Sequence, residues 1–288
     1  MINFKDRIKY LGSSIVKQMT GWKSICPYCK SNVKSGAVVD TKYGFTRLVE
    51  CPGCKMLVRV PTDAISSSRE FYQEAYSQEY TTDCPKPEVL QQLIAENFKD
   101  STRDYSRYIN FFKFLGVKDD ARILDFGCSW GYGLYQFRKA GYNAEGFEVS
   151  LPRARYGKEM MSLPIYSSVK DLKGKYDVIF SSHVLEHLPD FTEINNLYEN
   201  QLESTGKFIA ITPNGSKDFR ESFQTSFHQL WGKVHPVLLN DAFVKSNFSK
   251  DLVYLDAWDS HTPKFLKDGL TKEPLNKYEL LYVLKSKE

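Results

Sequence analysis

The sequence contains no apolar run that approaches the roughly 20 residues needed for a membrane-spanning helix. Residues 1–6 are followed by no uninterrupted apolar stretch, so the N-terminus does not resemble a secretion signal. We find no internal repeat and no low-complexity tract. The 288 residues include 19 Phe, 18 Tyr and 4 Trp, far more aromatic residues than disordered chains contain. These features predict a folded, soluble, cytoplasmic protein.

Charge is unevenly distributed along the chain. Residues 1–60 contain 11 Lys or Arg and 3 Asp or Glu, whereas the remaining residues are mildly acidic and the whole chain has a net charge of +4. A basic N-terminal region can face RNA, an anionic membrane surface at the inner face, or a phosphorylated substrate. Equally, its lysines can simply keep a small domain soluble. Charge alone leaves both interpretations open.

Apolar residues recur at helical spacing near the N-terminus, which predicts an amphipathic helix over residues 1–22. The apolar positions are Phe4, Ile8, Leu11, Ile15 and Met19. Such a helix either packs its apolar stripe against the rest of the protein or lies on a membrane as a peripheral contact. We favour packing against the protein.

Only six cysteines are present, and four of them form two Cys-x-x-Cys pairs. Cys26 with Cys29 and Cys51 with Cys54 predict a tetrahedral zinc site in a ribbon over residues 23–62. Because the four thiolates fill every tetrahedral position, the zinc is expected to be structural. Two disulfides or a redox pair are the alternatives, but the missing secretion signal and the doubled motif disfavour them. Cys84 is expected to be a small buried residue.

The pattern changes near residue 119. Residues 63–118 are predicted to form a helical linker or cap, whereas residues 119–288 alternate short apolar strands with amphipathic helices. This alternation predicts an α/β, Rossmann-like, doubly wound domain with a mostly parallel seven-stranded sheet. The predicted strands include residues 123–126, 144–149, 176–181, 207–212, 252–258 and 278–285. Residues 215–237 are expected to be an insertion that covers an acceptor pocket.

The turn after the first of these strands has an unusual glycine spacing. Gly127, Gly131 and Gly133 are spaced G-x-x-x-G-x-G and follow Asp125, which differs from the dinucleotide-binding fingerprint G-x-G-x-x-G. A carboxylate at this turn suits an ammonium group better than a pyrophosphate. Glu148, at the end of the next strand, can accept the hydroxyls of a ribose. The predicted ligand therefore has an amino acid portion and a ribose.

This region resembles the class I S-adenosylmethionine-dependent methyltransferases. Residues 125–133 resemble motif I of that family, Glu148 matches its ribose-binding acidic residue, and residues 177–189 and 206–214 resemble its fourth and fifth strands. The resemblance implies S-adenosylmethionine as cofactor. The implied cofactor contacts are Asp125, Gly127, Cys128, Ser129, Gly131, Gly133, Glu148, Val149, Ser168, Ser182 and His183.

The resemblance has one departure and one alternative. Ser129 stands where the family usually has its second glycine, and its hydroxyl either donates to the cofactor or is merely tolerated. The alternative is a Rossmann-like domain that binds no cofactor. Tyr72 and Tyr76, in the helical segment before the domain, are candidates to close the cofactor site.

Residues 183–187 also fit the H-x-x-E-H pattern of zinc peptidases. That pattern requires a helix, whereas here it directly follows a strand, so we interpret the match as coincidental. Transfer of a methyl group to a sugar hydroxyl requires a base, because the hydroxyl is a weak acid. His187, beside Glu186, is the predicted base, as is thought for similar sugar methyltransferases with an N-terminal zinc segment. His235 is the rival base.

Two roles remain open around these histidines. Instead of acting as the base, His187 can cap the following helix or contact the cofactor. His228 and Trp231 are candidates to contact the acceptor together with His235, although Trp231 can equally be part of the core.

The paired cysteine motifs and the L-E-H-L-P strand end resemble bacterial enzymes that modify sugars or cell-surface glycans. We therefore expect O-methylation of a sugar hydroxyl on a nucleotide-linked, lipid-linked or polymeric glycan. The first alternative is an RNA base methyltransferase that docks RNA on its basic ribbon, but residues 212–214 read T-P-N rather than N-P-P-[YF]. The second is an inactive zinc-ribbon adaptor.

Overall fold

The structure is a computed structural model that describes residues 12–17, 22, 24–63, 83–258 and 273–287. Its N-terminal part contains three short strands. Residues 12–17 are helical, and the three strands follow as β1 (Ala37–Lys42), β2 (Thr46–Glu50) and β3 (Leu57–Val60). The turn between β1 and β2 contains Tyr43 and Gly44, both with positive φ. β1 and β2 therefore form a β-hairpin that turns at these two residues.

Helices and strands alternate through the rest of the chain. They are α1 (Pro87–Ala95), α2 (Ser106–Phe114), β4 (Arg122–Phe126), α3 (Tyr132–Lys139), β5 (Asn143–Phe147), α4 (Leu151–Met161), β6 (Ile165–Tyr166), β7 (Tyr176–Ser182), α5 (Thr192–Asn200), β8 (Leu202–Pro213), α6 (Lys217–Ser222), α7 (Gln224–Leu230), β9 (Val237–Leu238), α8 (Asp241–Phe248), β10 (Leu252–Trp258) and β11 (Glu279–Lys285). A single 3-10 turn, Leu185–His187, lies between β7 and α5.

Seven strands form a large sheet in the order β10-β11-β8-β7-β4-β5-β6. Neighbouring strands from β6 to β8 are parallel, and β11 pairs antiparallel with both β8 and β10. Only β11 therefore runs against the other six. The predicted Rossmann-like, mostly parallel seven-stranded sheet is confirmed. Because the chain order diverges from β4 towards β5 on one side and β7 on the other, a ligand crevice is expected at their carboxyl ends.

The central strands are buried on both faces, because their side chains alternate between two hydrophobic clusters. Ile123 and Val178 pack with α2 and α3 on one face. Leu124 and Ile179 pack on the other face with α5, α8 and the cysteine-containing segment. The same strands therefore support helices on both faces, and the N-terminal region packs on one of them.

A second, four-stranded sheet has the order β1-β2-β3-β9 and is antiparallel throughout. We call it the ribbon sheet. Its last strand comes from far along the chain, since Leu57 pairs with Leu238 and Val58 with Val237. The segment between β8 and α8 thus completes the ribbon sheet and ties it to the large sheet.

Some predicted features fall on residues outside the described ranges. Most of the predicted helix over residues 1–22 does so, as do residues 64–82 of the predicted linker, with Tyr72 and Tyr76. Among the helices within the described ranges, none is both long enough and apolar enough to cross a bilayer.

Candidate active site

The turn after β4 can be built only with glycine at two positions. Gly127 has φ +84°, and a Cβ there would lie 2.3 Å from Cγ2 of Val184. Gly131 has φ +89°, and a Cβ there would lie 2.6 Å from Cδ1 of Leu163. Both positions combine a left-handed backbone with close packing, which any side chain would disrupt. The Gly127 contact also places the predicted cofactor turn directly against the loop that follows β7.

Two other predicted cofactor contacts have packing roles. A Cβ on Gly133 would lie 2.1 Å from Cε1 of Tyr105, so this glycine lets a buried aromatic ring approach α3. The side chain of Cys128 is 3% exposed and belongs to the hydrophobic cluster beneath the turn, next to Gly146. Any contact of Gly133 or Cys128 with a cofactor is therefore limited to the backbone. Tyr105 was missed in the sequence because nothing local links it to the glycine turn.

Two buried carboxylates lie at the carboxyl ends of β4 and β5. Glu148 accepts hydrogen bonds from the backbone N–H groups of Ser129 (2.9 Å) and Ser150 (2.7 Å). Burial raises the pKa of Glu148, and these two hydrogen bonds oppose that rise. Asp125 is 2% exposed, and its Oδ2 has no hydrogen-bond partner. Burial, with the negative charge of Glu148, raises the pKa of Asp125 to about 8. A cationic donor would satisfy this orphaned oxygen, which fits an ammonium-bearing ligand.

The other predicted cofactor contacts lie around this crevice or cap a neighbouring turn. Val149 is 36% exposed after β5. The hydroxyl of Ser168 accepts a hydrogen bond from the backbone N–H of Lys170 and so caps a short turn. The hydroxyl of Ser182, at the end of β7, lies 3.1 Å from that of Tyr108 on α2.

His183 connects two acidic groups from opposite directions. Its Nε2 lies 2.8 Å from Oε1 of Glu279, and its Nδ1 lies 3.5 Å from Oε1 of Glu186. Burial acts to lower the pKa of His183, but the two carboxylates outweigh burial and raise it to about 10. Arg107 also contacts Glu279, at 3.3 Å. The side chain of His183 is 42% exposed, so water screens these ion pairs. Glu279 and Arg107 were not predicted, because they are distant from His183 in sequence.

His187, the predicted base, has a fixed ring orientation. Its Nδ1 lies 2.8 Å from the carbonyl oxygen of Val234, and since a carbonyl only accepts, Nδ1 is the protonated nitrogen. The lone pair is therefore on Nε2, which lies 3.8 Å from Oε1 of Glu186. Burial lowers the pKa of His187 to about 4, so the ring is neutral at physiological pH. The residue that caps α5 is Phe191, so the helix-capping alternative for His187 is wrong.

The rival base, His235, lies beside His187. The two ring centroids are 4.6 Å apart, and Nδ1 of His235 contacts the carbonyl oxygen of Leu230. One candidate ligand atom from each of Glu186, His187 and His235 lies within 4.8 Å of the others. The structure thus brings all three predicted catalytic residues together.

Residues His228 and Trp231 face the ribbon sheet. Nε1 of Trp231 donates to Oδ2 of Asp40 over 2.7 Å, and Nδ1 of His228 lies 2.8 Å from the same oxygen. Trp231 is 2% exposed and packs in a hydrophobic cluster with residues of β2 and β3. The predicted contact of Trp231 with an acceptor is therefore wrong, because its ring is buried against the ribbon sheet.

The four paired cysteines form one cluster. Sγ of Cys26 lies 3.6 Å from that of Cys54, and Sγ of Cys29 lies 3.4 Å from that of Cys51. Four sulfurs around a tetrahedral Zn²⁺ would be separated by about 3.8 Å, so the cluster fits such an ion. Their mutual contact lowers the pKa of Cys26 to about 5 and raises that of Cys54. Cys84 is exposed, which contradicts the expectation that it is buried.

The cysteine cluster packs directly against the large sheet's helices. Tyr28, between Cys26 and Cys29 in sequence, packs edge-on against Phe191 and Phe243, with ring centroids 6.0 and 4.9 Å away. The two sheets consequently share one hydrophobic core rather than forming separate units.

Comparison with known proteins gives a family and a set of distant structural similarities. A search of curated proteins gives no match. Among solved structures, TehB from Haemophilus influenzae is similar over 66% of this chain and 64% of its own, with 14% identity and a TM-score of 0.46. A SAM-dependent methyltransferase from Archaeoglobus fulgidus is similar over 68% and 99%, with 16% identity and a TM-score of 0.45.

Magnesium protoporphyrin IX methyltransferase (ChlM) from Synechocystis PCC 6803, with bound SAH, is similar over 77% of this chain and 99% of its own. The identity is 11% and the TM-score 0.49. Similarities of this size carry no information about the substrate. Residues 95–238, half of the chain, match the family model described as a methyltransferase domain. Because the matched residues include both the turn after β4 and the loop after β7, the chain belongs to this methyltransferase family and is an S-adenosylmethionine-dependent methyltransferase.

Proposed function

We propose that this enzyme transfers the methyl group of S-adenosylmethionine to a sugar hydroxyl of a nucleotide-linked, lipid-linked or polymeric glycan. The observation that carries the proposal is the neutral imidazole of His187, with its lone pair on Nε2, in the loop that packs on Gly127. A hydroxyl acceptor must lose a proton, so it requires such a group at the carboxyl end of the sheet. The resemblance to bacterial sugar-modifying enzymes supports a glycan as the acceptor.

The cofactor, when bound, supplies a methyl group on a positively charged sulfur. The neutral thioether that remains after transfer is a good leaving group. Asp125 would pair its unsatisfied carboxylate oxygen with the cofactor's ammonium group. Glu148 would bind the ribose hydroxyls, because a carboxylate that accepts two backbone hydrogen bonds retains further lone pairs. These roles leave the acceptor to be oriented by the loop after β7 and the segment before β9.

In this proposal Nε2 of His187 would accept the proton of the acceptor hydroxyl, whose oxygen would take the methyl group while the carbon–sulfur bond breaks and neutral S-adenosylhomocysteine leaves. Glu186 then stabilises the imidazolium, since its carboxylate lies 3.8 Å from Nε2. The carbonyl oxygen of Val234 holds the ring in the correct tautomer throughout. His235 packs against His187 and restricts the movement of its ring.

We further propose that Cys26, Cys29, Cys51 and Cys54 bind a structural Zn²⁺. All four positions would be occupied by protein ligands, so the ion would stabilise the fold and take no part in methyl transfer. The cysteine cluster and the loop after β7 share one hydrophobic core.

The RNA alternative loses support because several basic residues near the N-terminus have partners within the protein. Lys30 pairs with Asp190, Lys55 with Glu50 and Lys17 with Asp63. The side chains of Lys42 and Arg59 donate to backbone carbonyls at residues 231 and 232. A peripheral membrane contact through the basic N-terminus stays a prediction.

The test is transfer of labelled methyl groups into a fractionated host lysate, with RNA, protein, nucleotide-sugar and lipid-linked glycan pools counted separately. Label is expected in a sugar-containing pool. His187→Ala should lower the rate by about 10²- to 10⁴-fold, because it removes the base. Lys245→Ala, which alters an exposed lysine of α8 that pairs with Asp241, should retain activity. Label confined to RNA would overturn the glycan proposal.

A further inference from the structure

A second group of metal-binding side chains lies apart from the four cysteines. Glu186, His187 and His235 each offer one ligand atom, and these three atoms lie within 4.8 Å of one another. We propose that this cluster binds a divalent transition-metal ion such as Zn²⁺ or Co²⁺ and that the bound ion inhibits methyl transfer. The binding site is independent of the proposed function, and its inhibitory effect rests on it.

Both histidines are oriented as metal ligands usually are. Nδ1 of His187 faces the carbonyl oxygen of Val234, and Nδ1 of His235 faces that of Leu230. A metal-binding histidine typically donates its second ring N–H to a backbone carbonyl or a carboxylate, which fixes the ring and leaves the other nitrogen for the metal. In both residues the nitrogen left for a metal is therefore Nε2.

Glu186 supplies the independent evidence that something should occupy this place. The residue is fully buried, and neither carboxylate oxygen has a hydrogen-bond partner. The nearest basic nitrogens are Nδ1 of His183, at 3.5 Å, and Nε2 of His187, at 3.8 Å, both longer than a good hydrogen bond. The protonated ring of His183 balances part of this buried charge, and a coordinated cation would give the carboxylate the direct bonds that it lacks.

The ligand types select the class of metal ion. Two imidazole nitrogens and one carboxylate suit Zn²⁺, Co²⁺ and related ions, whereas Mg²⁺ and Ca²⁺ prefer oxygen ligands. Three protein ligands also leave coordination positions open, unlike the closed four-cysteine cluster. The site differs from a peptidase centre as well, because His183 turns towards Glu279 and not towards His187.

Occupation of this site would change the state of the proposed base. A metal ion on Nε2 engages the lone pair with which His187 would accept the acceptor's proton. The loaded enzyme would therefore lose its base, while the cofactor contacts around Asp125 and Glu148 would be unaffected. The same three side chains would thus support methyl transfer in the metal-free enzyme and would be unable to do so in the metal-bound enzyme.

Binding is tested on protein whose four-cysteine cluster is already filled with zinc. Titration with Co²⁺, followed by equilibrium dialysis and visible absorption, should show one further ion per chain. Its spectrum should contain the d–d bands of nitrogen and oxygen ligands and no thiolate charge-transfer band. Glu186→Gln and His235→Gln should each weaken this binding by at least about 10-fold, since even residues that only support metal ligands contribute about 10- to 100-fold to affinity. His228→Gln, the matched control, should leave it unchanged.

The variants' zinc content and thermal unfolding would show that they remain folded. Absence of the further ion in the wild-type protein, or its retention in both cluster variants, would overturn the site. In the same titration, methyl transfer should fall in proportion to cobalt occupancy and return when a chelator removes the ion. A rise in activity with occupancy would overturn the inhibitory role. Because binding is measured without an acceptor, failure of the glycan proposal would leave the binding result intact.

Discussion

Arg59 donates a hydrogen bond from its guanidinium to the carbonyl oxygen of Gly232 over 3.1 Å. Its backbone N–H donates to the carbonyl oxygen of Pro236 over 2.8 Å, and its fully buried side chain also pairs with Asp63. One residue of the ribbon sheet thus holds both ends of a short segment that contains Val234 and His235. The ribbon sheet therefore positions the groups that orient the predicted base.

Replacement of this side chain should affect both stability and catalysis. Arg59→Met would remove the guanidinium donor from the Gly232 carbonyl and one of the cationic partners of Asp63, which also pairs with Lys17, and should destabilise the fold by about 2 kcal/mol. We expect kcat to fall while the affinity for S-adenosylmethionine stays unchanged, because Asp125 and Glu148 are on other elements. Urea unfolding, steady-state kinetics and cofactor binding measure the three effects.

Arg47→Met on the neighbouring strand β2 is the matched control, since Arg47 is only partly buried. It should leave kcat within about twofold of the wild-type value, as expected for a surface substitution. Equal losses of kcat in both variants would show that the ribbon sheet's charge, and not the Arg59 hydrogen bonds, is responsible.

The strands of the large sheet were predictable because their signals are local. Residues 176–181 were predicted as a strand and β7 spans residues 176–182, with apolar side chains on both faces. By contrast, β9 contains only two residues, too few to show any periodicity. It becomes a strand because Leu238 pairs with Leu57, far away in sequence. Likewise the sequence left Trp231 open between an acceptor contact and the core, because its partner Asp40 is not visible from neighbouring residues.

In the candidate site, too, some residues could be predicted from the sequence and others could not. Gly127 and Glu148 could be identified because each lies at the carboxyl end of a predicted strand, and the carboxyl ends of parallel strands meet at one edge. The carbonyl of Val234, which sets the tautomer of His187, could not be identified. Every residue carries a backbone carbonyl, and only the folded chain determines which one faces the imidazole.

Removal of one of the four proposed zinc ligands should destabilise the whole protein. Cys54 lies in the hydrophobic cluster that also contains Phe243, and its carbonyl oxygen accepts a hydrogen bond from Asn247. Cys54→Ser should abolish stoichiometric zinc binding and lower stability by about 3 kcal/mol or more. Because the sheets share one core, thermal unfolding should remain a single transition at a lower midpoint.

Cys84→Ser is the matched control, because Cys84 is exposed and lies outside the cluster. Its zinc content and unfolding midpoint should equal those of the wild-type protein. A separate early transition in Cys54→Ser, with the main transition unmoved, would contradict the shared core.

The contact between Gly127 and Val184 predicts that a second substitution can partly rescue a Gly127 variant. Gly127→Ala places a Cβ 2.3 Å from Cγ2 of Val184 and adds strain at φ +84°. It should destabilise the protein by about 2 kcal/mol and weaken cofactor binding. Val184→Ala, combined with Gly127→Ala, should recover the steric part of the loss and not the backbone part. Urea unfolding of the four proteins of this cycle separates the two contributions, and a purely additive result would show that the contact is irrelevant.

Asp125 should make the stability of the cofactor-free enzyme depend on pH. In the folded protein its pKa is raised to about 8, chiefly by burial, whereas an exposed aspartate titrates near 3.9. A raised pKa favours the protonated form in the fold, so the contribution of Asp125 to stability is fully present below about pH 4 and is lost as the pH rises to about 8. Asp125→Asn removes this titration, so its stability advantage over the wild-type protein should grow between pH 5 and 8 and then level off.

The same substitution should weaken cofactor binding. A buried, unpaired carboxylate is costly in the free enzyme but complements an ammonium group, so Asp125→Asn should gain about 1–3 kcal/mol of stability near pH 8 and lose a similar amount of binding free energy. Urea unfolding at several pH values and isothermal titration of S-adenosylmethionine measure the two terms. A stability difference that does not change with pH would show that Asp125 is ionised throughout. Unchanged affinity would place the cofactor's ammonium elsewhere.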